Sequence, residues 1–161
     1  MKRLFTYATV VVLAVVSSGL LLAQSNPLVG TWKINLAKSK YSPAGTAPKS
    51  DTLTIQAQGD GVKISADGVN ADGSRIATSY VTNMDGKYSA ISGPGFPNGA
   101  DTIAVKRVDA NTSTGTGKKA GKVVYTRTMA VSKDGKVLTI TAKGTDEKGQ
   151  PTSSTTVWDK Q

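Results

Sequence analysis

From residue 26 onwards, apolar and polar side chains alternate with a period of two in short runs, and no stretch sustains the spacing of an amphipathic helix. The runs predict strands over 29–36, 52–58, 62–66, 75–82, 102–108, 122–132, 137–143 and 153–159, with two shorter ones over 87–91 and 112–116. Between them stand turn signals, Asp60-Gly61, Asp67-Gly68, Asp72-Gly73, Asp85-Gly86, Asp134-Gly135 and Lys148-Gly149, the punctuation of β-hairpins. The reading is all-β: an antiparallel up-and-down meander of eight to ten strands. Such a run must bury one face and hide its edges, and closing into a barrel does both, with a sandwich as the alternative. Two connections exceed a tight turn, 37–50 and 92–100, the second holding Pro94, Pro97 and three glycines.

Alternation also assigns faces, because successive strand side chains point to opposite sides. The expected inward set is Trp32, Ile34 and Leu36; Leu53, Ile55 and Ala57; Val62 and Ile64; Ile76 and Tyr80; Ile103 and Val105; and Leu138, Ile140 and Ala142. In the strand over 122–132 the inward side reads Val123, Tyr125, Arg127, Met129, Val131. A guanidinium in that company must be paired, reach water or meet a ligand's acid group. Arg127 is therefore the leading candidate for ligand binding, with Tyr125, Tyr80, Met129 and, at the end of its strand, Arg107 as further contacts. The alternative for Arg127 is a structural one, packing across Trp32 or reaching solvent at a barrel mouth.

Ahead of the alternating region, Lys2 and Arg3 precede an apolar stretch from Leu4 to Ala23, with small residues at Ala23 and Ser25. This is the layout of a secretory signal peptide over 1–23, cleaved between 23 and 26, which leaves a single domain over 24–161. An uncleaved membrane anchor is the rival; no membrane span is expected after cleavage. The expected address is the periplasm or the medium.

The chain of 161 residues contains no cysteine and no histidine. Thiol nucleophiles, Ser-His-acid systems and the commonest metal ligands are thereby excluded, and no metal or cofactor is expected. Paired carboxylates are the remaining acid-base option, a carboxylate-based hydrolase, but the acids sit almost entirely in turns that they themselves stabilise. The segment from Gly115 to Lys122 imitates a phosphate loop without its glycine spacing or magnesium-binding hydroxyl, and reads as a hairpin loop. Lys2 and Arg3 are two of the 20 basic residues; without them, 18 stand against 11 acidic ones as a net +7. Most lysines fall in or beside turns, and no basic stripe is interleaved with aromatics, so nucleic acid is not an expected partner.

The opening run Leu28-Val29-Gly30-Thr31-Trp32-Lys33-Ile34 resembles the Gly-x-Trp first strand of the calycin superfamily, the lipocalins and fatty-acid-binding proteins. The final run Ser154-Thr155-Thr156-Val157-Trp158-Asp159-Lys160 is similar to the closing strand of fatty-acid-binding proteins. The resemblance implies a barrel whose first and last strands pair, with Trp32 and Trp158 as structural residues at that junction. The whole chain looks most like exported lipocalin-like proteins of bacteria. By analogy the function is non-enzymatic binding of a small hydrophobic or amphipathic molecule inside a monomeric barrel. The alternative is an interaction module using its basic surface on an acidic envelope polymer. In one respect the chain departs from the family: Thr156 and Trp158 stand where fatty-acid-binding proteins carry an arginine and a tyrosine that hold the ligand carboxylate.

Overall fold

The computed structural model describes residues 26–161; the expected signal peptide lies outside them. All ten expected strands form: β1 (Gly30–Ser42), β2 (Ser50–Gln58), β3 (Gly61–Val69), β4 (Arg75–Thr82), β5 (Asp85–Ala90), β6 (Thr102–Arg107), β7 (Thr112–Lys119), β8 (Lys122–Val131), β9 (Val137–Thr145) and β10 (Pro151–Lys160). They build one antiparallel sheet in the order β4-β3-β2-β1-β10-β9-β8-β7-β6-β5, a nearly closed barrel. Among the described residues no helix is long and apolar enough to cross a membrane.

The first and last strands do pair, Trp32 opposite Lys160 and Ile34 opposite Trp158. That junction lies in the middle of the sheet, however. The gap falls between β4 and β5, and the segment following β5 seals it. Ser92 and Ser79 exchange backbone hydrogen bonds at 2.9 Å, and Ala77 N–H donates to the Pro94 carbonyl at 3.0 Å. This close approach explains the glycines of the second long connection. Gly93 and Gly95 both hold positive φ, 82° and 90°, and a Cβ on Gly93 would collide with the backbone of Ala77.

Three expectations of the period-two reading are corrected, two of them at irregularities of the ladder and one near a strand end. In the β1–β10 pair the register moves from Asn35↔Val157 to Lys40↔Thr155, so β1 bulges by three residues. Leu36, expected inside, is 41% exposed there. Ser39 Oγ holds the bulge by donating to the Asn35 carbonyl at 2.7 Å and accepting from Val157 N–H at 3.0 Å. Strand β1 then resumes and runs to Ser42, through residues expected to be loop. In the β7–β8 pair Val124 is the extra residue, which flips Val123 outward to 53% exposure. Ala57 is exposed near the end of β2.

Two supposed turns are strand. Asp67 and Gly68 pair with Ala77 and Ile76 inside the β3–β4 ladder, and Asp85 and Gly86 open β5 at a bulge. The false phosphate loop is likewise mostly strand: residues 115–119 belong to β7, and only Ala120 and Gly121, both at positive φ, make the turn.

Along nearly every strand the inward residues divide by position. One end of the barrel is filled by Leu28, Trp32, Ile55, Val62, Met84, Ile103, Val105, Met129, Val131 and Leu138. Trp32 is fully buried, its indole N–H donating to the Leu28 carbonyl at 2.9 Å. Lys160, not Arg127, lies over its ring, 5.0 Å from the centroid. The other end is hollow.

Candidate functional site

On β2, β8 and β9 the chain passes from filled to hollow within one inward step. On β2 Ile55 is core, whereas Leu53 and Asp51 line the cavity; on β9 Leu138 is core, whereas Ile140 and Ala142 line it; on β8 Met129 is core, whereas Arg127 and Tyr125 line it. The resulting cavity has a volume of about 460 Å³, within the range of small-molecule sites. Its walls are mainly apolar, with Ile34, Ile64, Ala66, Ile76 and Trp158 among them, and its mouth lies among Pro43, Pro48, Asn70, Asn98 and Asp146.

Arg127 is the first lining residue of β8 beyond the core, which places it at the cavity floor. It is 8% exposed, its Nη2 donates to the Tyr80 hydroxyl, and its Nε, also buried, has no hydrogen-bond partner among the described residues. Among the described residues no carboxylate is within ion-pair distance of it; the ion pairs there are Arg75–Asp67, Lys87–Asp85 and Lys119–Glu147, all near the surface. A guanidinium stays charged in proteins, so the floor of the cavity holds a positive charge balanced by no protein anion.

Neighbouring strands make room for it. On β7 the inward residues are Ser113, Gly115 and Gly117, all lacking bulk. A Cβ on Gly115 would stand 3.1 Å from Arg127 Nε, and one on Gly117 would stand 3.3 Å from Tyr125 Cβ. Small residues on β7 therefore let two large side chains of β8 lie inside the barrel.

The seam segment supplies the third aromatic. Phe96 sits between Tyr80 and Tyr125, edge-to-face with both, with ring centroids 6.1 Å and 5.6 Å away. The following turn is anchored across the mouth by Asn98, whose Nδ2 donates to the Val124 carbonyl at 2.8 Å. That carbonyl belongs to the bulge residue of β8. Burial pushes the Tyr125 hydroxyl above its ordinary range, so it is a neutral phenol at physiological pH.

Of the residues singled out in the sequence, Arg127, Tyr125 and Tyr80 come together in the cavity. Met129 does not line it; it is packed in the filled end. Arg107 is exposed outside, where its Nη2 reaches Met84 Sδ at 3.1 Å. Thr156 and Trp158 do line the cavity, but they serve each other, the Trp158 indole N–H donating to Thr156 Oγ1 at 2.8 Å.

Asp51 is the lining residue that sequence reasoning passed over. It lies one inward step nearer the mouth than Leu53, and its Oδ1 is buried without a partner. Burial pushes its carboxyl up to about 7, with Asp67 adding to the rise against the opposing N–H of Thr52. Tyr41 of β1 shares the wall, its hydroxyl pushed up to about 12 by burial and by the charge of Asp51. A signal was available: Asp51 has the parity of Leu53 and Ile55, an acid on the apolar side of a strand.

No family model and no curated protein matches the sequence. Among solved structures the chain is similar to the zebrafish ileal bile acid-binding protein complexed with cholic acid. The two share 14% identity at a TM-score of 0.50, over 84% of this chain and 99% of that one. A redesigned β-barrel, mFAP1, bound to DFHBI, matches at 15% identity and a TM-score of 0.42 over 83% of this chain and 95% of that one. Neither is a lipocalin-like protein of bacteria, so that part of the resemblance stays an expectation. The fold itself is calycin-like: a ten-stranded antiparallel barrel with the first strand joined to the last.

Proposed function

We propose that this protein is a non-enzymatic binder of a small amphipathic anion, held with its apolar body in the barrel and its acid group on Arg127. The observation that carries the reading is the unpaired Arg127 Nε at the floor of an apolar cavity of about 460 Å³. Burying a charge without a counter-charge costs several kcal/mol, roughly the amount a ligand carboxylate or similar group would restore. Arg127 thus takes over the anchoring role that Thr156 and Trp158 cannot fill. The solved bile acid-binding protein shares the fold, which is compatible with an interior ligand without identifying one.

The mature domain is proposed to begin between residues 23 and 26 and to act as a monomer in the periplasm or outside the cell, where the cysteine-free core needs no redox partner. Native mass spectrometry of the purified protein tests the function directly, together with thermal shift on adding medium-chain carboxylates. A retained anionic amphiphile, or melting raised by decanoate and not by decanol, is the expected result. A protein that carries nothing and responds to neither overturns it.

A further inference from the structure

The cavity has two unsatisfied polar atoms in its wall, and the proposed anion uses only one of them. Arg127 Nε offers a donor at the floor. Asp51 Oδ1 offers an acceptor nearer the mouth, buried and without a partner among the described residues. Between the two levels the β2 wall is Leu53, which is apolar. A ligand that is merely a fatty chain with an acid head would leave the Asp51 oxygen desolvated and unbonded, at a cost that a second polar group on the ligand would remove.

Resting on the anion-binding reading above, we propose that Asp51 is the second pole of the site. It receives a hydrogen-bond donor, a hydroxyl or an ammonium, carried by the ligand at a distance from its acid group. The ligand class is accordingly a hydroxylated or amino-bearing amphipathic acid. Charged and titratable groups around Asp51 fit this assignment. Tyr41 shares the wall from β1, and Asp67, exposed on the outer side of β3 opposite Thr52, is bridged to Arg75 at 3.2 Å. Neither is a cation. Arg127, Tyr80 and Tyr125 lie across the cavity, and Lys143 and Asp146 stand at its rim. Among the described residues no Lys or Arg is within ion-pair distance of Asp51, so a close partner must come with the ligand. Burial holds the carboxyl near the point where it is half-protonated at neutral pH, which makes the two donor types separable.

The test is calorimetric titration of the purified protein with octanoate, decanoate and dodecanoate, each in plain, ω-hydroxy and ω-amino form. Asp51→Asn and Asp51→Val variants are titrated alongside, with folding checked by circular dichroism. The expected result is that plain acids bind and that at least one donor-bearing series binds roughly tenfold tighter. Asp51→Val abolishes this gain. Asp51→Asn keeps the hydroxyl gain, because its amide oxygen still accepts, and loses the ammonium gain. An ammonium gain should increase as pH rises from about 6 to about 8, whereas a hydroxyl gain should not. If plain acids bind and the donor-bearing ones bind no tighter, or keep their gain in Asp51→Val, the role of Asp51 is overturned and the anion site stands. If no acid binds the wild-type protein, both fall.

Discussion

Arg127 donates through Nη2 to the Tyr80 hydroxyl and leaves Nε buried with nothing to bond. The pair joins β8 to β4 across the interior of the barrel, so the cation is fixed by a neutral phenol and not by an acid. Orientation is secured while the charge stays available.

Replacing Arg127 by Met should separate stability from binding. Removing an unpaired buried charge in favour of an apolar side chain of similar length is expected to leave the unliganded melting temperature unchanged or raise it by a few degrees. Decanoate affinity should fall at least about tenfold. A fall in melting temperature of more than a few degrees would show that the guanidinium is structural.

The pH dependence of stability follows from Asp51. Its carboxyl rises from 3.8 to about 7 on folding, so between those values the folded chain holds a proton that the unfolded chain has released. Stability is full below about pH 4, declines towards pH 7 by up to about 4 kcal/mol, and is level above. Asp51→Asn should remove this decline from urea unfolding curves recorded across the window. Parallel pH profiles for the two proteins would refute the assignment.

On β7, Gly115→Val should destabilise by about 1–3 kcal/mol, because its Cβ alone would stand 3.1 Å and 3.2 Å from Arg127 Nε and Cγ. Decanoate binding should weaken as the guanidinium is pushed from its place. Combining Gly115→Val with Arg127→Ala should recover stability but not binding, a double-mutant cycle that isolates the contact.

Gly93→Ala is expected to open the seam. The residue combines a positive φ with backbone contact to Ala77, so the substitution should cost about 2 kcal/mol or more. Hydrogen exchange should accelerate first at the amides of Ala77, Ser79 and Ser92. Uniform acceleration over the whole sheet would instead mean that the seam is not a separate weak point.

The architecture was legible in the sequence to the extent that the period of two was unbroken. Strands such as β4, with Ile76 and Tyr80 inward, were found at their true ends because their ladders are regular. Leu36 and Val123 were misplaced because each lies beside a bulge, where an odd number of extra residues inverts the face on one side of it relative to the other. Asp-Gly pairs were too readily read as turns, since Asp67-Gly68 is a stretch of paired strand where glycine is needed for close approach to Ser50. In the site, Arg127, Tyr125 and Tyr80 could be placed by parity alone. Phe96 could not, because a loop residue has no parity, and its position depends on how the seam closes.

Joining β1 to β10 has a consequence for the order of events in the life of the chain. Asn35 Nδ2 meets Asp159 Oδ2 at 2.8 Å across 124 residues of sequence, so the first strand to be synthesised waits for the last one. Contacts of such span make folding slow. Until β10 is in place, β1 and β9 are unfinished edges and the interior is incomplete. Losing β10 alone would leave those two edges open, so the cavity depends on the pairing of the two strands most distant in sequence.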